Sequence, residues 1–130
     1  MAEHVYDSSD SCTGKNVAQE PLEYSIYSLL KKYQITITTA ESATGGMIAS
    51  TLINVPGISE FFTEGYVTYS NEAKVKMIHV APETIDTYGV VSSETAADMA
   101  SSAAKTAGTM AAVSVTGVAG PDGGTKECPV

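Results

Sequence analysis

A serine lies between a strand-like run and a helical pattern, in the stretch TAESATGG at residues 39–46. A serine hydroxyl becomes a nucleophile when a neighbouring base removes its proton. The glycines after Ser42 let backbone N–H groups approach a ligand, and the start of a helix favours negative charge. Ser42 is therefore a candidate nucleophile, although a serine here also serves as an ordinary turn or cap residue. The residues predicted to hold the oxyanion or the substrate are those that follow it: Thr44, Gly45 and Gly46.

A base for this serine is offered by the stretch YVTYSNEAK at residues 66–74. Tyr69 stands at the end of a predicted strand, and Lys74 stands in the first turn of the next predicted helix. A lysine near a helix N-terminus opposes the helix dipole, and together with partial burial this lowers its pKa. A neutral lysine can deprotonate a serine, so Lys74 is a candidate base. Taken alone, Lys74 also fits a solvated helix surface, and Tyr69 fits half-buried packing.

A third stretch, TGVAGPDGGT at residues 116–125, is rich in glycine. The backbone amides of such a loop can surround a phosphate or a ribose. Glycine-rich turns also form tight connections, so this stretch alone is a weak indication of a nucleotide site.

Each of these stretches follows a predicted strand. The strands are predicted at residues 35–40, 64–70 and 111–116, and helical patterns lie before the first strand and between the strands. Asn71 is predicted to cap the helix that contains Lys74. Alternating strands and helices indicate a layered α/β fold with a largely parallel, covered sheet. In such folds, sites form at the carboxyl ends of the strands.

The composition excludes several classes of function. The net charge is −8 and all seven basic residues are lysines, which argues against nucleic-acid binding. Cys12 and Cys128 match neither a metal spacing nor a disulfide framework, so we expect a reducing compartment and no metal site. No signal peptide or membrane span is recognisable, and we expect a soluble, cytoplasmic protein. Residues 1–20 lack apolar periodicity and are predicted to be a disordered leader.

Four motifs occur together in the order, and at about the spacing, of the CinA carboxy-terminal domain family: TAESATGG, VPGISEFFTEGYVTYSNEAK, YGVVSSETAADMA and VTGVAGPDGGTKECPV. The chain resembles this family, which includes the nicotinamide mononucleotide deamidases, over residues 22–130. The resemblance implies a three-layer α/β/α sandwich with a mixed, mostly parallel sheet in a domain of residues 21–130. It also implies hydrolysis of the carboxamide of nicotinamide mononucleotide to nicotinate mononucleotide and ammonia, without a cofactor, in the salvage of NAD.

The resemblance assigns roles to individual residues. The catalytic serine, tyrosine and lysine of the family correspond to Ser42, Tyr69 and Lys74. Lys74 would take the serine proton directly or through Tyr69. The nucleotide loop corresponds to six positions: Thr116, Gly117, Ala119, Gly120, Pro121 and Gly123. The expected partner is a small nucleotide substrate, with no nucleic acid and no membrane, and a homodimer is left open.

The sequence departs from the family pattern at two positions. Ala43 stands where the family has cysteine, and Cys128 stands where it commonly has lysine. The family continues into another strand and a final helix, so we expect the domain to lack both. An alternative function is therefore a truncated, catalytically weak CinA-like protein that only binds a nucleotide or a partner. A regulatory or assembly role is a further alternative, because family members can be fused to a second enzymatic domain.

Overall fold

Helices and strands alternate along the chain, as the sequence pattern predicts. The computed structural model describes residues 20–126 and 129–130. Its helices are α1 (Leu22–Tyr33), α2 (Met47–Leu52), α3 (Asn71–Ile78), α4 (Pro82–Tyr88) and α5 (Ser93–Ala107), with a short 3-10 helix at Ile58–Glu60. Its strands are β1 (Ile37–Glu41), β2 (Gly65–Val67) and β3 (Ala111–Val115).

Some sequence predictions concern residues outside this description. The predicted leader at residues 1–20 lies outside it except for its last residue, and so does Cys128. Among the helices that are described, none is both long enough and apolar enough to cross a membrane.

The three strands form one sheet in the order β2-β1-β3. In the central strand, Thr39 is aligned with Gly65 of β2 and with Val113 of β3, and both pairings are parallel. Parallel neighbours need long crossover connections, which the intervening helices supply. The predicted α/β fold with a mostly parallel sheet is confirmed, and every strand pair in the described residues is parallel.

Side chains of β1 alternate between two apolar layers, one on each face of the sheet. Ile37 packs in a layer built from α1, α2 and the segment after α2: Leu30, Leu52, Val55, Ile58, Phe61 and Phe62. Ala40 packs in the other layer, which α3, α4 and α5 provide with neighbouring residues: Ile78, Val80, Ile85, Met99 and Ala103. The helices therefore cover both faces of the sheet, in three layers.

Serine residues cap the two helices that flank the candidate site. The Ser70 hydroxyl accepts a hydrogen bond of 3.1 Å from the Ala73 N–H at the start of α3. The prediction that Asn71 caps this helix is therefore wrong, because Ser70 has the extended backbone that a cap requires and Asn71 is already helical. At the start of α5, the Ser92 hydroxyl accepts a hydrogen bond of 3.1 Å from the Thr95 N–H.

Gly65 brings β2 close to the central strand at a point where a side chain has no room. A Cβ atom on Gly65 would lie 2.5 Å from Thr39 Oγ1 and 3.1 Å from Phe62 Cζ. Gly65→Ala should therefore lower the free energy of unfolding by about 1–3 kcal/mol, as measured by urea denaturation.

The control for this prediction is the double variant with Thr39→Ala. Thr39 Oγ1 is buried without a hydrogen-bond partner in the described part of the chain, so its removal breaks no hydrogen bond and opens space. The double variant should lose less stability than the sum of the two single variants. Additive losses would contradict the steric explanation.

Candidate active site

Ser42 directly follows β1 at the carboxyl edge of the sheet. Its N–H donates a hydrogen bond of 2.9 Å to the Val115 carbonyl, which continues the pairing of β1 with β3 past the end of β1. Only 6% of the Ser42 surface is exposed. The sheet itself therefore fixes the position of this serine.

The amine of Lys74 meets the serine hydroxyl inside the protein. Lys74 lies in α3 and is fully buried. Its Nζ atom lies 3.0 Å from Ser42 Oγ and 2.9 Å from the carbonyl oxygen of Thr68. No carboxylate among the described residues shares these hydrogen bonds or perturbs the pKa of Lys74.

The surroundings of Lys74 favour its neutral form. Burial lowers the pKa of Lys74, because a buried ammonium group loses its hydration. A neutral amine has one lone pair, which can accept the Ser42 O–H, while one N–H donates to the Thr68 carbonyl. An ammonium group would bring three donors to these two oxygens. The arrangement is thus chemically suited to a serine nucleophile and a lysine base.

Glu41 precedes Ser42 in the chain but faces the opposite side of the sheet, towards α2. Its Oε2 atom accepts hydrogen bonds from Thr44 Oγ1 at 2.7 Å, the Gly46 N–H at 3.2 Å and the Ile48 N–H at 3.0 Å. Its Oε1 atom accepts one from the Ala49 N–H at 2.8 Å. Burial alone raises the pKa of Glu41, but these hydrogen bonds outweigh burial and lower the pKa below its ordinary value. The carboxylate thus ties β1 to the start of α2.

The amides after Ser42 have different partners from those that the sequence predicts. The Gly46 N–H donates to Glu41, and the Gly45 N–H donates to the Ser42 carbonyl at 3.1 Å. Neither group is free for an oxyanion, so the glycines shape the turn instead, with φ angles of 58° and 103°. The Ala43 and Thr44 N–H groups have no hydrogen-bond partner among the described residues and are the remaining candidates. The Thr44 hydroxyl is itself bound to Glu41.

Ser42 and Lys74 line a pocket of about 320 Å³. Its other walls are Ala43, Tyr69 with Asn71, residues 116–119, and the connector between α4 and α5 at Val90 and Val91. Sequence reasoning missed this connector, which follows a helix and carries no chemically reactive side chain. A larger hollow of about 490 Å³ lies between α3 and α4, but no serine, threonine or cysteine lines it.

Tyr69 lies in the wall of the pocket without joining the serine and the lysine. Its side chain is 68% exposed. In the described structure its hydroxyl makes no hydrogen bond to either Ser42 or Lys74, whose contact is direct. A proton relay through Tyr69 is therefore not needed to connect these two groups.

The glycine-rich loop contributes only its first part to the pocket. Residues 116–119 line it, and the Thr116 hydroxyl donates a hydrogen bond of 2.7 Å to the Val90 carbonyl. The later predicted residues, Gly120, Pro121 and Gly123, do not line it. Gly120 instead lies close to Val130. A Cβ atom added at position 120 would be 3.4 Å from the Cβ atom of Val130.

A metal site has no support in the described ranges. No group of three or more histidine, cysteine, aspartate or glutamate residues there is placed to hold a metal ion.

Comparison with known proteins identifies the family. The model of the CinA C-terminal domain matches residues 19–130. The chain belongs to this family. A competence-damage inducible protein of Clostridium acetobutylicum is 59% identical over 114 residues, which is 88% of this chain and 28% of that protein. A CinA-like protein of Kosmotoga olearia is 54% identical over 114 residues, with the same two shares. The chain thus spans less than a third of these relatives.

Solved structures of the family share the fold. The competence/damage inducible protein CihA of Agrobacterium tumefaciens superposes with a TM-score of 0.77 at 43% identity, over 84% of this chain and 66% of that one. A CinA superfamily protein of Enterobacter cloacae superposes with a TM-score of 0.81 at 29% identity, over 95% of this chain and 73% of that one. These matches support the α/β architecture described above.

The buried Glu41 carboxylate should contribute to stability in a pH-dependent way. Glu41→Gln places an NH₂ group against N–H donors and should lower the free energy of unfolding at neutral pH by about 1–3 kcal/mol. The pKa of Glu41 is lower in the folded state, so its contribution is present above the unfolded-state pKa and is lost as the pH falls through the folded-state pKa. The parent should therefore lose stability below about pH 4.5, and Glu41→Gln should reduce that loss.

Urea denaturation between neutral pH and pH 3 checks this prediction, with Glu60→Gln as the matched control. Glu60 is exposed, and its substitution should change stability by less than about 0.5 kcal/mol. An acid dependence of Glu41→Gln identical to that of the parent would contradict the assigned role of the carboxylate.

Proposed function

We propose that the chain is a serine–lysine amidase that hydrolyses the carboxamide of nicotinamide mononucleotide to nicotinate mononucleotide and ammonia. The observation that carries the proposal is the 3.0 Å contact between Lys74 Nζ and Ser42 Oγ, inside a pocket of small-molecule size. Membership of the CinA C-terminal domain family supports the choice of substrate, since the resemblance implies this reaction. The reaction would salvage the pyridine ring for NAD.

The first step joins the serine oxygen to the substrate in a tetrahedral intermediate. Lys74 Nζ accepts the Ser42 proton while Ser42 Oγ bonds to the amide carbon, and the electron pair of the C=O bond moves to oxygen. The Ala43 and Thr44 N–H groups are the proposed donors to this oxyanion.

The intermediate then releases ammonia. The electron pair on the oxyanion re-forms the C=O bond and the C–N bond breaks. Protonated Lys74 gives its proton to the departing nitrogen, so the leaving group is neutral ammonia and Lys74 is again a free base. The Thr68 carbonyl, 2.9 Å from Nζ, keeps the amine pointed at the serine throughout and stabilises its transient charge.

Water completes the reaction. Lys74 takes a proton from a water molecule as the water oxygen attacks the acyl carbon, and the ester C–O bond breaks. The proton returns to Ser42 Oγ, and the product leaves as a carboxylic acid that ionises in solution. One amide and one water thus give one acid and one ammonia, and both enzyme groups regain their starting states.

Removing either partner of the contact between Ser42 and Lys74 should strongly reduce turnover. Ser42→Ala leaves no nucleophile, and Lys74→Met fills the same space with an apolar chain that accepts no proton. Ammonia release from nicotinamide mononucleotide should fall by about a hundred- to ten-thousandfold in each variant.

Lys76→Met is the matched control, because Lys76 lies on the exposed face of the same helix and should retain parent activity. Circular dichroism and urea denaturation establish that each variant is folded. Full turnover by a folded Lys74→Met variant would contradict the mechanism, and a folded parent without turnover would contradict the function.

The rate should rise with pH. Only neutral Lys74 accepts the serine proton, and burial lowers the pKa of Lys74, so kcat/KM should rise through an ionisation below the ordinary lysine pKa of 10.5. The pH profile of kcat/KM for the parent chain checks this. A rate that falls with rising pH between neutral and mildly alkaline conditions would contradict the role of Lys74 as base.

A further inference from the structure

We infer that Tyr69 is a specificity-determining residue that holds the flat ring of an aromatic carboxamide, and that it acts through its ring rather than as a proton relay. The inference deepens the proposed function and rests on it for the chemistry at Ser42. It concerns which carboxamides the same pocket binds.

The ring of Tyr69 lies in the pocket wall without a stacking partner among the described residues. It is 68% exposed and makes no ring contact or hydrogen bond with other described residues. Two other tyrosines of the described chain, Tyr27 and Tyr33, have such partners. The ring of Tyr27 packs edge-on against Phe61, and Lys32 lies 5.0 Å from the centroid of the Tyr33 ring. A flat ligand that covers Tyr69 would remove apolar surface from water and gain a stacking contact.

The hydroxyl of Tyr69 has no place in the proton path. Both hydrogen bonds of Lys74 Nζ go elsewhere, to Ser42 Oγ and the Thr68 carbonyl. A relay needs a hydroxyl between donor and acceptor, whereas here the two reacting atoms already lie 3.0 Å apart. The ring is therefore the part of Tyr69 that we expect to contact the substrate.

The remaining walls are partly apolar. Val90, Val91, Val118 and Ala43 line the pocket beside the polar residues Asn71, Lys74 and Thr116, and the apolar residues offer surface for a flat ring. The Thr116 hydroxyl holds the glycine-rich loop to the Val90 carbonyl, which fixes two of these walls relative to each other. A substrate whose amide reaches Ser42 would lay its ring against apolar surface and Tyr69.

The experiment measures binding and turnover separately in the 130-residue chain. Calorimetry gives the Kd for nicotinamide mononucleotide in a Ser42→Ala background, and ammonia release gives kcat and KM with Ser42 present. Tyr69→Leu should raise Kd and KM about five- to tenfold and change kcat far less. Tyr69→Phe, which keeps the ring and removes the hydroxyl, should restore both constants to within about threefold of the parent.

Two controls test whether the effect is specific to Tyr69 and to a flat ring. Tyr88 is also exposed but lies on α4 outside the pocket, so Tyr88→Leu should leave Kd, KM and kcat at parent values. Benzamide and cyclohexanecarboxamide carry the same amide on a flat and a puckered ring. The Ser42→Ala chain should bind benzamide more tightly, and Tyr69→Leu should remove that preference.

The outcomes separate this inference from the proposed function. A loss of kcat in Tyr69→Phe equal to that in Tyr69→Leu, with Kd unchanged, would assign Tyr69 to proton transfer and overturn the inference. An unchanged Kd in Tyr69→Leu would overturn it as well. If the parent shows no turnover but the Kd series follows the expected order, the amidase proposal fails and the ring-binding role stands. If a folded chain neither binds nor turns over these amides, both fail.

Discussion

The opposite orientation of two consecutive residues, Glu41 and Ser42, is the constraint on which the site depends. Successive side chains of a strand point to opposite faces, and the pairing with Val115 extends this geometry to Ser42. Glu41 is thereby directed to the first turn of α2, where N–H groups and the Thr44 hydroxyl surround it. Ser42 is directed to the other face, where α3 supplies Lys74. One strand end therefore fixes a helix on one side and presents the candidate nucleophile on the other.

This separation also leaves Lys74 without a counter-charge, as its proposed role as a base requires. The protein buries both a carboxylate and an amine, yet Glu41 is satisfied by N–H donors and gives Lys74 no counter-charge. A lysine paired with a buried carboxylate would be held in its charged form. Lys74 instead has a hydroxyl and a carbonyl as partners, and burial lowers its pKa. The expected stability and the proposed reactivity thus depend on two buried ionisable groups with opposite requirements.

The placement of the site was predictable because parallel strands bring their carboxyl ends to one edge of the sheet. That rule brings together Ser42, Lys74 and residues 116–119, each located after a strand. The rule could not show that Glu41 would bind the Gly46 amide, one of those expected to serve an oxyanion, since this depends on the strand keeping its pairing up to its last residue. The connector at Val90 and Val91 belongs to the motif YGVVSSETAADMA, but it follows a helix and is apolar. Its residues therefore gave no indication that they line the pocket. The paths of Gly120, Pro121 and Gly123 depend on long-range contacts that periodicity does not reveal.

The measurement that tests this account most directly is the pKa of Lys74 by ¹⁵N NMR of lysine side chains. The chain has seven lysines, and the Lys74→Met variant assigns the Lys74 resonance by its disappearance. We expect Lys74 Nζ to have the chemical shift of a neutral amine at a pH below the ordinary lysine pKa of 10.5, because burial lowers the pKa of Lys74. A pKa of Lys74 at or above 10.5 would show that the amine is charged when it meets Ser42 and would contradict its proposed role as a base.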